Sequence, residues 1–547
     1  MLSFIDIYGF LSVVLRGLSM IAQAISFGGA AFCLLAITPR ARRRDPTAVT
    51  LFGRCARIVF VAACALAGAE ALAGVSLSIM LAGTLDTTLL DALGAQAVIV
   101  RLAGAALAAG FAALWRGRAP GRATMSASLA LAALSIVLET SGTHAASRPD
   151  GGMLLASAEA LHLAGVAVWI GGIPFFLMAL AQLQEESVRH DIWRRFSLMS
   201  ACGVAAIFAG GTALAVDYVG APALMYGTSY GVMLTAKILL FAMLLALGAL
   251  NFLAADAPAQ DRKAATLRTR RFAEVEIGIG ATIIFCAASL ASLPPARDLA
   301  SERATLAEIV DRLEPRLPVR LESPDFASLS AAQIARAPSA AATESYQPSS
   351  VIAAPRTSAD IAWSEYNHHW AGLFVVAMGV LALLQRSERM APVARNWPLL
   401  FLGLAAFLFL RADESVWPLG PLGLIESLRD PEIAQHRLLT IIIVVFGLFE
   451  WRVGQGHFRS TWPALVFPLS VAVASAFLLT HSHGLASPKE ELLIEIMHTP
   501  LAIVGLIVGW ARWLQLRLDG PVSRIAGLIW PVALTLAGLM LLFYREA

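Results

Sequence analysis

The chain has 547 residues, of which 58% are hydrophobic and only 14% are charged. A soluble domain carries about 25% charged residues, so this composition predicts a membrane protein. The net charge of +3, without basic clusters among exposed aromatic residues, argues against a nucleic-acid partner. No glycine-rich phosphate loop follows a strand-like stretch, which argues against a nucleotide ligand.

Apolar stretches of about 20 residues, the length that crosses a bilayer, predict the fold. There are about 14, eight before a polar interval and six after it. They lie near 8–37, 56–82, 96–114, 124–141, 154–182, 197–217, 229–254, 272–293, 366–385, 397–411, 437–451, 462–480, 491–511 and 525–544. The predicted fold class is an all-α polytopic transmembrane helix bundle.

Three regions are predicted from this pattern. Residues 1–293 form an eight-helix membrane domain, and residues 364–547 form a six-helix membrane domain. The interval 294–363 is predicted to be a periplasmic linker, because its later part is rich in Ala, Ser and Pro and cannot bury a core. Within it, Ala304 to Leu313 has the spacing of a short amphipathic helix.

Basic residues predict the orientation of the helices. One set of short loops contains 25 arginines and lysines, whereas the opposite short loops and ends contain four. The alternation persists through all the predicted spans, so the arginine-rich side is predicted to be cytoplasmic. Both termini are then predicted to be periplasmic.

The ten histidines are unevenly distributed over this topology. Only His190 and His457 fall in predicted cytoplasmic loops. The other eight lie at or near the periplasmic face: His144, His162, His368, His369, His436, His481, His483 and His498. Neutral imidazole offers a lone pair to copper, zinc, iron or nickel, and divalent copper binds tightest in the first-row series. The eight are therefore predicted metal ligands.

The densest cluster lies in the second half. His481 and His483 precede His498, and Glu495 lies three residues before His498 on one helical face, where its carboxylate is predicted to orient the imidazole as an outer partner of the metal. The alternative is that these histidines are solvated at a helix end or bonded to loop carbonyls. His368 and His369 diverge by about 100° on a helix, so at least one of the two is predicted to be a ligand.

The first half has a smaller group. Glu159 and His162 are three residues apart, and Glu159 is predicted to orient His162. Gly171 and Gly172 follow and predict a close helix approach. His144 is a possible second ligand. The alternative explanation for Gly171 and Gly172 is helix packing alone, without a functional role.

Several motifs carry a family resemblance. The stretch from His162 through Trp169-Ile-Gly-Gly172, then Arg195-Phe-Ser197, Tyr230 to Lys237 and Asn251, resembles the copper resistance protein D (CopD) family. The resemblance covers roughly residues 8–293. It implies a multi-pass protein of the bacterial inner membrane that handles copper, with a periplasmic copper chaperone of the CopC type as a partner. The last six spans exceed the family's eight-span pattern.

Three functions remain open at this point. The favoured one is binding of copper, as Cu⁺ or Cu²⁺, at the periplasmic-face histidines, followed by transport inward. The second is a haem-binding electron carrier or reductase, with a pair such as His436 and His498 as axial ligands. The third is a copper store or assembly factor that does not transport. An enzyme is the less favoured class, and the lack of nucleotide motifs excludes an ATP-driven pump.

Overall fold

A computed structural model describes most of the chain. It covers the backbone of residues 2–41, 46–117, 121–143, 148, 151–254, 261–324, 358–411, 416–420, 423–427, 431–479 and 488–546. Within these ranges the side chains of residues 2–7, 10, 40–41, 360, 426–427, 431–436, 488 and 490–491 are not described. The chain divides into two compact units, the first comprising Met1–Met225 and Met233–Ser301 and the second comprising Tyr226–Val232, Glu302–Leu479 and His483–Ala547.

In the described part of the first unit, nine helices have ten or more residues. They are α1 (Leu2–Phe32), α2 (Pro46–Thr84), α3 (Gln96–Trp115), α4 (Arg122–Ser141), α5 (Gly152–Trp169), α6 (Ile173–Gln182), α7 (Glu186–Val219), α8 (Ser229–Ala254) and α9 (Arg262–Leu290). Helix α2 packs along α1 and α3, and α5 packs along α7. In lipid every backbone polar group needs an internal partner, and α-helices provide this within each span.

The second unit begins with a short helix and continues with longer ones. They are α10 (Leu306–Leu313), α11 (Ser358–Leu384), α12 (Leu400–Arg411), α13 (Pro431–Gly454), α14 (Val466–Leu478), α15 (Pro488–Arg517) and α16 (Gly520–Leu542). Helix α16 packs along α11 and α15. Aromatic rings fill the core. The centre of the Trp397 ring lies 5.3 Å from the ring centre of Phe467 and 5.8 Å from that of Trp530.

The helices confirm the predicted all-α polytopic fold. In the part of the chain that is described, twelve helices are long and apolar enough to cross a membrane. Eight lie in the first unit, where α5 and α6 count as one span, and the others are α11, α15, α16 and the segment Ala391–Arg411 that contains α12. The remaining two predicted positions are occupied by α13 and by the shorter apolar helix Trp462–Leu478, which are not among the twelve. The location of the termini stays a prediction.

A close helix crossing in the first unit confirms the prediction made from its glycine pair. A Cβ atom on Gly171 would lie 1.8 Å from the carbonyl oxygen of Ala24 on α1. No side chain fits there, so only glycine allows the two backbones to approach this closely.

The short helix α10 forms where periodicity predicts it, but a different face of it is buried. Thr305 and Glu308 form a capping box at its start. Of its predicted apolar stripe, Ile309 is buried against Leu492 and Ile496 of α15. The other three residues of the stripe are exposed: Leu306, Val310 and Leu313. The division of residues 294–363 from its neighbours as a separate linker stays a prediction, and 325–357 lie outside the described residues.

Candidate functional site

Two predicted ligands meet at one end of the second unit, which we call the histidine end. It is formed by the start of α11, the start of α15 and the residues that follow α16. The rings of His368 and His498 have their centres 6.5 Å apart at 74°. Tyr544 stacks on His368 at 3.9 Å and meets His498 edge-on at 5.6 Å. Residues 130 positions apart in the chain therefore share one aromatic cluster.

Both imidazoles of this pair have the same hydrogen-bonding arrangement. Nδ1 of His368 donates to the carbonyl oxygen of Ser364 at 2.8 Å, and Nδ1 of His498 donates to that of Ile494 at 3.0 Å. A carbonyl can only accept, so Nδ1 must carry the proton in each ring. In a neutral ring the lone pair is then on Nε2, which is one of the two nitrogens through which imidazole binds metals.

His369 has a structural role instead. Its Nδ1 accepts from the backbone N–H of Arg320 at 3.0 Å, and its Nε2 donates to the carbonyl oxygen of Tyr544 at 2.9 Å. The side chain is 6% exposed. Both ring nitrogens are occupied by backbone groups, so the ligand prediction for His369 is corrected. Neighbouring side chains on a helix diverge, and here one of them faces the cluster while the other ties down the backbone.

A buried polar network that includes Arg312 of α10 supports the histidine end. The hydroxyl of Tyr544 donates to Glu546 Oε2 at 2.9 Å, and Ser364 Oγ donates to the same oxygen. Arg312 of α10 donates to the carbonyl oxygen of Glu546. Burial lowers the pKa of Arg312 to about 10, so it keeps its charge at neutral pH. These contacts hold Tyr544 against the imidazole pair.

A second, exposed contact holds α10 to the start of α15. Lys489 forms an ion pair with Glu308 at 2.5 Å. The hydrogen bond from Lys489, followed by those from Thr305, lowers the pKa of Glu308 to about 2. The carboxylate is therefore ionised at every physiological pH.

His162 is the described candidate of the first unit. Its Nδ1 lies 3.0 Å from the carbonyl oxygen of Ile207 on α7, so this ring also carries its proton on Nδ1. The contact depends on Gly210, where a Cβ would lie 2.3 Å from the carbonyl oxygen of Ala158. Lys237 acts electrostatically on the ring. A nearby ammonium opposes the binding of a cation, which makes His162 a weaker candidate than the pair in the second unit.

Buried carboxylates are the other polar feature of the first unit. Glu70 accepts two bonds from Arg101 at 3.1 Å. Glu139 accepts from Gln23 at 2.9 Å, and Glu159 accepts from Thr143 at 2.6 Å. Cations also act on both: Arg101 and Arg16 on Glu139, and Lys237 and Arg16 on Glu159. Each of these three carboxyl groups therefore has a hydrogen-bond partner on another part of the first unit.

One carboxyl group escaped the sequence reasoning. Glu276 on α9 is 3% exposed, and its Oε1 accepts from Asn251 Nδ2 at 2.5 Å. Asn251 is 8% exposed. Glu276 follows the basic stretch that ends at Arg271, so by sequence it resembles a loop-proximal residue. The burial of Glu276 depends on how α9 packs, and no sequence pattern near Glu276 indicates it.

The remaining predicted ligands and orienting groups have mixed outcomes. His144, His481 and His483 lie outside the described residues, and the side chain of His436 in α13 is not described. A backbone carbonyl contacts Nδ1 of His498 and of His162, from Ile494 and Ile207 respectively, and the orienting roles of Glu495 and Glu159 stay predictions. Among the described residues, no three or more side chains of His, Cys, Asp and Glu come together as a metal site.

Comparison with known proteins places one region of the first unit in a family. Residues 190–290, which contain most of α7 with α8 and α9, match the sequence model of copper resistance protein D (CopD). Copper transport protein CutJ of Bacillus subtilis (strain 168) is 29% identical over 145 residues, which is 26% of this chain and 26% of CutJ. The matched stretch therefore spans about a quarter of the length of this relative. No solved structure matches.

The helices define the class of protein, which is a multi-pass α-helical membrane protein in contact with the lipid bilayer. Within residues 190–290 it is similar to the copper resistance protein D family and to a copper transport protein. The match is narrower than the predicted 8–293. It includes Lys237, Asn251 and Glu276 but excludes His162 and the whole histidine end.

Proposed function

We propose that this chain is a copper-handling protein of the bacterial inner membrane, which binds copper through imidazole nitrogens at the histidine end and moves it inward. The observation that carries the proposal is the convergence of His368 and His498 with the same tautomer. The family region supports copper as the cargo. The name of CutJ, a copper transport protein, supports transport.

The spacing of the pair suits one shared cation. Imidazole nitrogens bind such a cation at about 2.0–2.1 Å, and about 1.2 Å separates ring centre from nitrogen, so a linear arrangement puts the centres about 6.4 Å apart. The observed separation is 6.5 Å. Copper of either oxidation state accepts imidazole ligands. A site of two imidazoles also holds its metal less firmly than a closed four-ligand site, which suits a cargo that must leave.

The predicted orientation supports capture from the periplasm. Both residues lie about two turns inside their spans, on the side that the arginine distribution predicts to be periplasmic. Copper would then arrive from outside, and a chaperone of the CopC type is the proposed donor. His481 and His483 are further proposed ligands near this end by sequence.

Copper binding by purified protein in lipid tests the site. In the double variant His368→Ala and His498→Ala we expect copper affinity to fall by more than about 100-fold, because even loss of an outer orienting group costs about 10–100-fold. Competition with a chromophoric copper chelator measures it. The matched control is His190→Ala with His457→Ala, which removes two histidines from the opposite predicted side and should leave affinity unchanged.

Two further outcomes separate the alternatives. Equal copper affinity in the double variant and in wild type would remove the imidazole pair from the mechanism. Copper that is bound but not accumulated by proteoliposomes would favour a store or assembly factor over a transporter. A Soret band in the purified protein would favour the haem-binding electron carrier.

A further inference from the structure

Glu276 and Asn251 form a buried pair that copper capture by imidazole does not use. Glu276 lies five residues beyond Arg271, about one and a half turns along α9, and Asn251 lies three residues before the end of α8. The pair is therefore near the end of the bundle where α8 ends and α9 begins. It also lies inside the stretch that matches the copper family.

The surroundings of Glu276 differ from those of the other buried carboxyl groups of the first unit. Glu70 has an arginine partner, and cations act on Glu139 and Glu159. In the described part of the chain, burial and the amide of Asn251 are the influences on Glu276, and no charged group acts on it. Arg271, the nearest arginine along α9, pairs with Glu274.

The neighbouring elements bring no charge to it either. Helices α1 and α6 pack against α9, and α6 contains no titratable residue. On α1, Gly17 contacts Phe285, so Arg16 lies about 13 Å along α9 from Glu276. On α8, Lys237 interacts with Cys286, which is about 15 Å along the same helix.

Tyr8 and Cys33 are the other described titratable groups of the α1 segment. Tyr8 interacts with Arg101 and Arg16, which places it farther still from Glu276. Cys33 lies just beyond α1 and hydrogen-bonds Cys55 on α2. These groups of α1, α6 and α8 therefore do not share the charge of Glu276.

An ionised carboxylate in this setting is expensive. A buried charge without a counter-charge costs several kcal/mol, so the group favours its neutral, protonated form or a bound cation. The amide of Asn251 suits both protonation states. Its Nδ2 donates to the carboxylate, while its buried Oδ1 has no hydrogen-bond partner among the described residues. Rotation of the amide by half a turn presents Oδ1 to a protonated carboxyl as an acceptor.

We propose that Glu276, with Asn251 as its reversible hydrogen-bond partner, is a proton-exchange site inside the transmembrane bundle. On release, the O–H bond of the carboxyl breaks, the proton passes to water at the nearer membrane face, and the amide turns its Nδ2 to the carboxylate. Reloading reverses these steps, and no electron transfer is involved. Proton binding stands alone, whereas its coupling to copper movement rests on the proposed function.

Infrared difference spectroscopy of the full-length protein in lipid tests proton binding directly. Between about pH 5 and about pH 9 the wild type should show the carbonyl stretch of a buried protonated carboxyl. Glu276→Gln should lose this band. Glu274→Gln is the matched control on the same helix and should keep it, since Glu274 forms an ion pair with Arg271. Asn251→Ala should shift the band, because the hydrogen bond to the carboxyl is removed.

The outcomes are decisive for the proton site. A band that persists in Glu276→Gln, or the absence of any such band in the wild type, would overturn the proposal. If Glu276→Gln does not fold, the Asn251→Ala spectrum still decides, because an unshifted band assigns the signal to another carboxyl.

Coupling has its own measurement. In proteoliposomes, copper uptake by the wild type should move protons, detected with an internal pH dye, and Glu276→Gln should lose this movement while its copper affinity changes by less than about twofold. Proton movement that is unchanged in Glu276→Gln would overturn coupling. Absent copper uptake in the wild type would instead defeat the proposed function, and the infrared result would still stand.

Discussion

The histidine end of the second unit and the buried carboxylates of the first unit meet the same difficulty in different ways. Both place polar groups among apolar helices. Each imidazole donates from Nδ1 to a backbone carbonyl of its own helix. Carboxylates carry charge and need a cation, as Glu70 has in Arg101, or a proton. Backbone carbonyls thus hold the imidazoles in place, whereas the carboxylates depend on a cation or a proton.

Breaking the ion pair between Arg101 and Glu70 in the first unit should have the largest effect on stability. In Arg101→Met we expect Glu70 to be left without its partner and the free energy of unfolding to fall by about 2–3 kcal/mol, since the pair is partly exposed. Denaturant unfolding in detergent micelles measures this. The double variant with Glu70→Gln should recover most of the loss, and a double variant as unstable as the single one would contradict the comparison.

Separate alanine substitutions of the adjacent His368 and His369 test whether one ring binds copper and the other stabilises the fold. His369→Ala removes two buried hydrogen bonds to backbone groups, so we expect a loss of about 2 kcal/mol in the free energy of unfolding. Copper affinity of the protein that folds should change little. His368→Ala should do the reverse, with a small change in stability and a large loss of affinity. Similar behaviour in both variants would show that the two rings do not differ as their hydrogen bonds indicate.

The exposed contact between α10 and α15 should have the smallest effect, and it depends on pH. The pKa of Glu308 is lowered to about 2 in the folded protein and is about 4.3 when unfolded. Its stabilisation is therefore complete above about pH 4.3 and is lost as the pH falls toward about 2. Melting temperatures of wild type and Glu308→Gln should differ slightly at neutral pH and converge in this acidic window. A difference that grows on acidification would contradict the assignment.

Sequence patterns predicted the helices well and the candidate site in part. Twelve of the predicted spans are present because length and apolarity are local properties. His368 and His498 were identified as candidates, but their partner Tyr544 was not, since nothing near it in the chain marks it. Arg312 of α10 is buried and bonded to Glu546, which is 234 residues away, so local periodicity could not predict its burial.

The amino-acid sequence by itself determined where the helices lie, that they cross a membrane and which residue types carry lone pairs or charge. Tertiary structure decided which of these groups are already satisfied. His368 and His369 are adjacent and chemically identical, yet one stacks on Tyr544 while the other binds the backbone of Arg320 and Tyr544. Hydrogen-bond partners are set by helix packing over long sequence separations, and local periodicity contains no information about them.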